Sequence, residues 1–390
     1  MGPAGEWSRR FSRWWWRTRW LRRLWRGRLA AITVGVVLAL AVTELALRIP
    51  GLPLRPDLRN ALFQCASAEF DDANIAYFDP KLAMNLPRPH VDRECAWNGY
   101  RWHHHGDVYG YRNPESWSQA DIVLLGDSTT YGHGVEETST AAHFLRAELG
   151  RTVVNLGWIG DSPVQYLARL QNYALPLHPK VVFVFFFHND LDDILFYRKA
   201  GAIRRFVESG EGQERGIFRR DELAADFHPA EMGLWNRIDE HVLTLRALRF
   251  LAEPRVDAPP STDESSAAVP PLEEEIPLQG AEPLALDYLR TAAQMMAASA
   301  KAAGVRLVFS NIPSVDGGRR VPMVRQRVRD AARAVGVPFL DLVEKFAVDG
   351  RLERGDLFLP HDGHLTERGH RRVAREVAAF VREQHLLDAP

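Results

Sequence analysis

Cysteine is scarce in this chain: 390 residues hold only two, Cys65 and Cys95. A scaffold stapled by many bridges and a cysteine-built metal cluster are both excluded by that count. No glycine-rich loop ends in Lys-Ser or Lys-Thr, so the phosphate-cradling nucleotide site is absent as well. No internal repeat is visible, which removes solenoids and propellers. A net charge of −1 gives no overall bias toward a charged partner, but it hides a division along the chain.

The first 28 residues carry nine Arg against the single acid Glu6, a balance of +8, and the remaining 362 residues therefore carry −9. A mildly acidic body argues against nucleic acid as a partner. The basic block leads directly into an apolar run, Leu29 to Leu47, in which Glu44 near the end is the one charged residue. That length suits a membrane-spanning helix, and we assign residues 29–49 as a transmembrane signal anchor. Arginine on the N-terminal flank predicts residues 1–28 inside and everything beyond Arg48 outside, in an inner-membrane, periplasm-facing topology. Trp14, Trp15, Trp16, Trp20 and Trp25 would lie in the interfacial layer between these arginines. A cleaved signal peptide competes for the same segment, with Ala39-Leu40-Ala41 as its cut site, and Ser8-Arg9-Arg10-Phe11 resembles a twin-arginine signal. The retained anchor is favoured because the apolar pattern continues past that site. Either way the body is exported, where Cys65 and Cys95 read as one disulfide, against the alternative of two unpaired thiols.

Residues 50–120 lack sustained periodicity and read as an irregular N-terminal extension. From residue 121 the pattern becomes regular. Strand-length apolar runs occur at 122–125, 153–156, 181–187, 307–312 and 338–342, with helix-period stretches at 141–148, 163–173, 284–303 and 321–334. Continuous apolar strands alternating with amphipathic helices predict a three-layer α/β/α domain over 121–390, with a flavodoxin-like parallel sheet of about five strands. A last helix, about Thr366 to Glu383, opens on an N-cap threonine. Residues 190–283 form an insertion: 235–252 has helical spacing, and 253–283 is rich in Pro, Ser and Glu and reads as a flexible loop.

Four blocks carry chemistry. Gly126-Asp127-Ser128 follows the first strand, Asn155 to Ser162 follows the second, His188-Asn189-Asp190 follows the third, and Asp362-Gly363-His364 precedes the last helix. Each alone has a structural reading. Ser162 in particular opens a helix and is a decoy nucleophile, and Asn189-Asp190 would cap a strand end. Together, in this order, they resemble the SGNH (GDSL-type) hydrolase superfamily over about residues 121–385. The resemblance implies Ser128 as nucleophile, His364 as general base then acid, and Asp362 as the carboxylate that orients His364. It also implies an oxyanion hole made by the backbone N–H groups of Ser128 and Gly160 and the side-chain amide of Asn189. The chemistry needs these types together, because a serine hydroxyl is a poor nucleophile until an oriented imidazole takes its proton.

Two blocks depart from the family pattern. Phe187-His188 stands where Gly-x commonly precedes Asn-Asp, and Asp362 is two residues before His364 rather than three; His361, at that third position, cannot supply a carboxylate. Loss of Asp362 from the assignment would leave a Ser–His dyad. The Gly-x-Ser-x-Gly turn of α/β-hydrolases is absent, since Thr130 stands four residues after Gly126. No cofactor and no metal are expected: consecutive residues such as His103-His104-His105 rarely converge on one ion, and His133, near Ser128, reads either as a pocket-lining residue or, the favoured reading, as a hydrogen-bonded surface histidine. The reaction class is acyl-ester chemistry. By analogy with anchored relatives, the substrate expected is an O-acetyl ester of cell-envelope carbohydrate. An O-acetyltransferase using the same triad and a non-catalytic carbohydrate-binding scaffold are the alternatives. The oligomeric state is not legible.

Overall fold

The computed structural model describes residues 28–49, 52–63, 65, 75–79, 84–98, 100–114, 117–199, 242–252, 280–315, 320–349, 351–352, 355–360 and 362–388. The basic segment 1–27, most of the acidic loop 253–283 and His361 lie outside them. The described residues fall into two units, one within 1–58 and 234–254 and the other within 59–233 and 255–390.

In the first unit Arg28–Leu47 is one helix of 20 residues whose most apolar 18-residue stretch has a mean hydropathy of 2.2, long and apolar enough to cross a membrane. Its two threonines spend their hydroxyls inside the helix, Thr33 on the Leu29 carbonyl and Thr43 on the Ala39 carbonyl, at 2.9 Å each. Also in this unit, the helix Leu243–Ala252 falls inside the stretch read as helical from its spacing.

The second unit is built on a five-stranded parallel sheet: β1 (Ile122–Gly126), β2 (Val153–Asn155), β3 (Val181–Phe186), β4 (Arg306–Asn311) and β5 (Phe339–Leu340). Its order is β2-β1-β3-β4-β5, the flavodoxin-like arrangement, with every neighbouring pair parallel. Strand period two divides the side chains cleanly. Val123, Leu125, Val182, Val184, Phe186 and Phe309 face the helices Pro163–Arg169, Glu282–Ala302 and Arg320–Val335. Ile122, Leu124, Phe183, Phe185 and Val308 face Ala141–Leu149 and Glu367–Glu383. Both faces are covered, which is why these strands read as unbroken apolar runs.

Thr366 caps the last helix by accepting from the Gly369 N–H at 3.2 Å, and Val373, Val377 and Val381 recur at helical spacing on its buried side. Each fully buried valine contributes about 1.5–3 kcal/mol, so a charge at Val377 would break this layer. The stretch 163–173 departs from one continuous helix. It is α-helical to Arg169, widens into a π turn over Leu170–Ala174 and tightens into Leu175–Leu177. Pro176 lacks an N–H and crowds the carbonyl four residues back, which is the usual cause of such a widening.

The described residues within 50–120 are more regular than their composition suggests. They hold a helix, Pro56–Phe63, and two antiparallel hairpins, Ala76–Asp79 with Met84–Pro87 and Asp92–Trp97 with Tyr100–His105. Hairpin pairing comes from the partner strand, so it leaves little trace in one-sided periodicity. Cys65 and Cys95 are joined in a disulfide with Cα atoms 5.3 Å apart, tying the chain before the hairpins to the strand Asp92–Trp97. Of the three adjacent histidines, His104 is buried and meets the Tyr131 hydroxyl at 2.9 Å. His103 and His105 lie on the exposed side near Asp92. Burial and the nearby Arg112 push His104 down to about 3, so it stays neutral.

Candidate active site

The open edge of a parallel sheet, where consecutive strands diverge to opposite sides, is the natural crevice of this architecture. Here β2 and β3 flank β1, and the segments after all three strands converge at that edge. After β1 the chain turns at once into the helical turn Ser128–Tyr131, capped by Asp127, whose Oδ1 accepts the Thr129 N–H at 2.9 Å. Gly126 is required by closeness: a Cβ there would strike the Thr130 side chain and stand 2.9 Å from the Phe185 carbonyl oxygen. A Cβ on Gly157 would lie 2.5 Å from the Tyr131 nitrogen, so the second block packs tightly beneath the serine turn. Asn155 fastens the two together, its Nδ2 donating to the Thr130 carbonyl and its Oδ1 accepting the Gly157 N–H, both at 2.9 Å. Arg112 closes the other end of the turn by donating to the carbonyls of Tyr131, Gly132, His103 and Val135.

The fourth block reaches this turn from the far end of the chain. Ser128 Oγ and His364 Nε2 are 2.7 Å apart across 236 residues. On its other nitrogen, His364 makes a short hydrogen bond from Nδ1 to Asp362 Oδ1, which also accepts the His364 backbone N–H at 3.1 Å. Burial raises the Asp362 pKa, but hydrogen bonds and charge from His364 outweigh it and hold the carboxyl at about 2. Asp362 is thus a carboxylate at neutral pH, and the shortened spacing of this block still delivers the side chain to the ring. Such an arrangement can draw the proton off Ser128 and keep the imidazole in one tautomer.

Sequence reasoning missed a fifth participant. Asn98 Nδ2 donates to the second oxygen of Asp362 at 3.1 Å, from the tip of the hairpin Asp92–Trp97/Tyr100–His105. Asn98 has φ +47°, in the left-handed region. The available signal was Asn98-Gly99 between two strands, the commonest two-residue hairpin turn. Tyr100, next along, donates its hydroxyl to the Pro360 carbonyl at 2.5 Å, so the hairpin grips the Asp362 loop at two points.

His133 differs from the surface histidine expected. It is buried, stacks on His364 with ring centroids 4.6 Å apart and meets Trp102 at 4.4 Å. Neither ring nitrogen has a hydrogen-bond partner among the described residues. Burial, then the charge of His364, push its pKa well down, so a neutral ring lies against the His364 imidazole. Trp102 and His364 are remote from His133 in sequence, which is why its burial was not visible there.

The remaining expected residues occupy the loops after β2 and β3. Gly160 adopts φ +77°, a conformation that favours glycine. Its neighbour Asp161 forms a buried ion pair with Arg169, whose Nη1 and Nη2 also reach the Tyr111 hydroxyl at 2.6 Å and the Asn85 carbonyl at 3.0 Å. Ser162 is buried as the N-cap of Pro163–Arg169, engaged with Gln165 in a capping box. Asn189 donates through Nδ2 to Asp193 Oδ2 at 2.9 Å, leaving the second amide hydrogen of that nitrogen for another acceptor. Asp190 accepts the Phe187 N–H at 3.2 Å and the Tyr166 hydroxyl at 2.9 Å, so it anchors the turn that presents Asn189. Among the described residues no group of three His, Cys, Asp or Glu side chains is arranged to hold a metal ion.

A profile of the GDSL-like lipase/acylhydrolase family matches residues 124–372, from inside β1 to inside the last helix. The chain belongs to this family. It is therefore an ester-bond hydrolase of the GDSL/SGNH type. Solved structures of similar proteins include the lipase/acylhydrolase from Enterococcus faecalis, 12% identical with a TM-score of 0.37, covering 67% of this chain and 95% of its own. Another is the psychrotrophic esterase EstA from Pseudoalteromonas sp., 10% identical with a TM-score of 0.36, covering 68% of this chain and 98% of its own. A third is the GDSL-like lipase from Bacteroides thetaiotaomicron, 13% identical with a TM-score of 0.35, covering 68% and 86%. No curated protein matches the chain.

Proposed function

We propose that this GDSL-like hydrolase is a serine esterase with Ser128, His364 and Asp362 as its catalytic triad. The observation that carries the reading is the 2.7 Å contact between Ser128 Oγ and His364 Nε2, with Asp362 bonded to the opposite ring nitrogen. Ser128 Oγ attacks the ester carbonyl carbon while its proton passes to His364 Nε2. The imidazolium, stabilised by Asp362, then protonates the departing alcohol oxygen as the C–O bond breaks, leaving an acyl-serine. Water repeats the sequence with His364 as base, and the acid leaves. Negative charge on the carbonyl oxygen is met by the Ser128 and Gly160 backbone N–H groups and the remaining Asn189 amide hydrogen. Removal of one such donor costs about 100- to 1,000-fold in rate.

The substrate class we propose is an O-acetyl ester of cell-envelope carbohydrate, and the site we propose is the outer face of the inner membrane. The support is topological: the apolar helix Arg28–Leu47 follows an arginine-rich start, and everything after it includes a disulfide that needs an oxidising compartment. In this reading residues 29–49 are the retained anchor, and residues 121–390 form the hydrolase domain with its insertion at 190–283.

The test is hydrolysis of a chromogenic acetyl ester by the intact protein and by Ser128→Ala, with folding checked by thermal melting. Turnover lost in the folded variant supports the triad. Equal turnover in both refutes it. Acetyl transfer to an added carbohydrate acceptor, without hydrolysis, would move the reading to the transferase. Silence under both conditions would leave a carbohydrate-binding scaffold.

A further inference from the structure

We propose that Leu243–Ala252 is a membrane-interface helix, seated in the headgroup layer of the leaflet from which Arg28–Leu47 emerges. This rests on the reading of Arg28–Leu47 as a retained anchor. The link between the two helices is Glu44, in the last turn of the apolar helix. Its carboxylate accepts the Leu243 N–H at 3.3 Å, the Thr244 N–H at 2.8 Å and the Thr244 hydroxyl at 2.8 Å. It also pairs with Arg48 at 2.6 Å. Glu44 lies three residues before the end of the apolar run, a rise of about 4.5 Å along a helix. The start of Leu243–Ala252 is therefore fixed at the depth where hydrocarbon gives way to headgroups.

The second observation is the face this helix leaves open. Leu245, Leu248 and Leu251 are 40%, 49% and 62% exposed and follow one another every three residues. Leu243, Thr244, Arg246 and Ala247 are buried on the other side. A leucine stripe of this kind on a water-facing helix has no stabilising role, whereas beside a membrane exit it continues the lipid-facing surface of the anchor. Leu29, Val36, Leu38 and Leu45 of the anchor are exposed in the same way. Ten residues reach about 15 Å, half of a hydrocarbon core, so the helix can lie on the membrane but not cross it. The helix carries no acid, and of its two arginines Arg249 is exposed, a charge that suits anionic headgroups. The occupant of the leucine face is thus the lipid surface, and the insertion 190–283 is returned to the membrane at a second point.

The test uses the full chain in phosphatidylethanolamine–phosphatidylglycerol vesicles, with one nitroxide label placed by Leu248→Cys. The native cysteines are disulfide-bonded and do not compete for the label. Val36→Cys reports the anchor and Arg375→Cys, on the exposed side of the last helix, reports water. The inference expects Val36 to be reached by oxygen, Arg375 by a water-soluble nickel complex, and Leu248 to sit between them at headgroup depth. Leu251→Cys should repeat the Leu248 result if Leu248→Cys disturbs packing. A Leu248 label as exposed to nickel as Arg375, with Val36 still in lipid, overturns the inference and leaves the anchor intact. A Val36 label reached by nickel refutes the anchor, and the inference falls with it.

Discussion

Asn98 is the residue whose role the structure makes most testable. It holds the outer oxygen of Asp362 at 3.1 Å and forms a hairpin turn at φ +47°. Those two roles separate cleanly. Asn98→Gly keeps the turn, because glycine adopts the left-handed region freely, and removes only the amide. A hydrogen bond to a charged group contributes about 1.5–3 kcal/mol net. Expressed wholly in the transition state, that is roughly 10- to 150-fold in kcat. Asp362 keeps its two bonds to His364, so the account places Asn98→Gly near the lower end, about tenfold down in kcat with KM unchanged. Asn98→Asp sets a second carboxylate beside the first and should cost more, since two carboxyls that close cannot both ionise freely. The assay is steady-state hydrolysis of a chromogenic acetyl ester, alongside thermal melts of each variant. Asn98→Gly with kcat within about twofold of the parent would refute the reasoning and reduce Asn98 to a turn residue.

Three further outcomes follow from contacts around the site. Reduction of Cys65–Cys95, or Cys65→Ser with Cys95→Ser, opens a loop spanning 30 positions and should lower unfolding free energy by about 3–4 kcal/mol in a denaturant titration. It should also lower kcat, because Cys95 lies in the strand that leads to Asn98; unchanged activity would contradict that coupling. Arg169→Ala leaves Asp161 buried and unpaired, at a cost of about 3–5 kcal/mol, and should weaken kcat through the adjoining Gly160; a loss below about 1 kcal/mol would show that Asp161 finds another partner. Asp193 is pushed up to about 8 by burial and by Asp127, Asp192 and Asp161. The folded state then holds a proton that the unfolded chain releases, so this group erodes stability as pH rises from about 4 to about 8. Asp193→Asn should therefore melt progressively higher than the parent as pH goes from acid to alkaline, and a constant difference would refute the shift.

The parallel sheet was the most legible part of the chain. Strands buried on both faces leave unbroken apolar runs, so β1, β3 and β4 fall within a residue or two of their expected limits. The blocks of the candidate site stand out for the same reason: Ser128, Gly160 and Asn189 lie in the segments that follow β1, β2 and β3, and their order along the chain is read without knowing distances. What the sequence concealed lies in residues 50–120 and in loop contacts. The strand Tyr100–His105 alternates exposure correctly, but its polar inward residue, His104, disguises the pattern. Arg112 looks like any surface arginine until four carbonyls surround it. The stacking of His133 on His364 joins positions 231 apart, a distance over which local pattern carries no information.

The central claim is that Ser128 is the nucleophile, and covalent capture tests it most directly. The folded, membrane-reconstituted protein is treated with a fluorophosphonate, digested and mapped by mass spectrometry. The account predicts a single adduct on the peptide containing Ser128, absent from Ser128→Ala and strongly slowed in His364→Ala. An adduct on Ser162 in place of Ser128, or hydrolytic turnover that persists once Ser128 is fully modified, would contradict it.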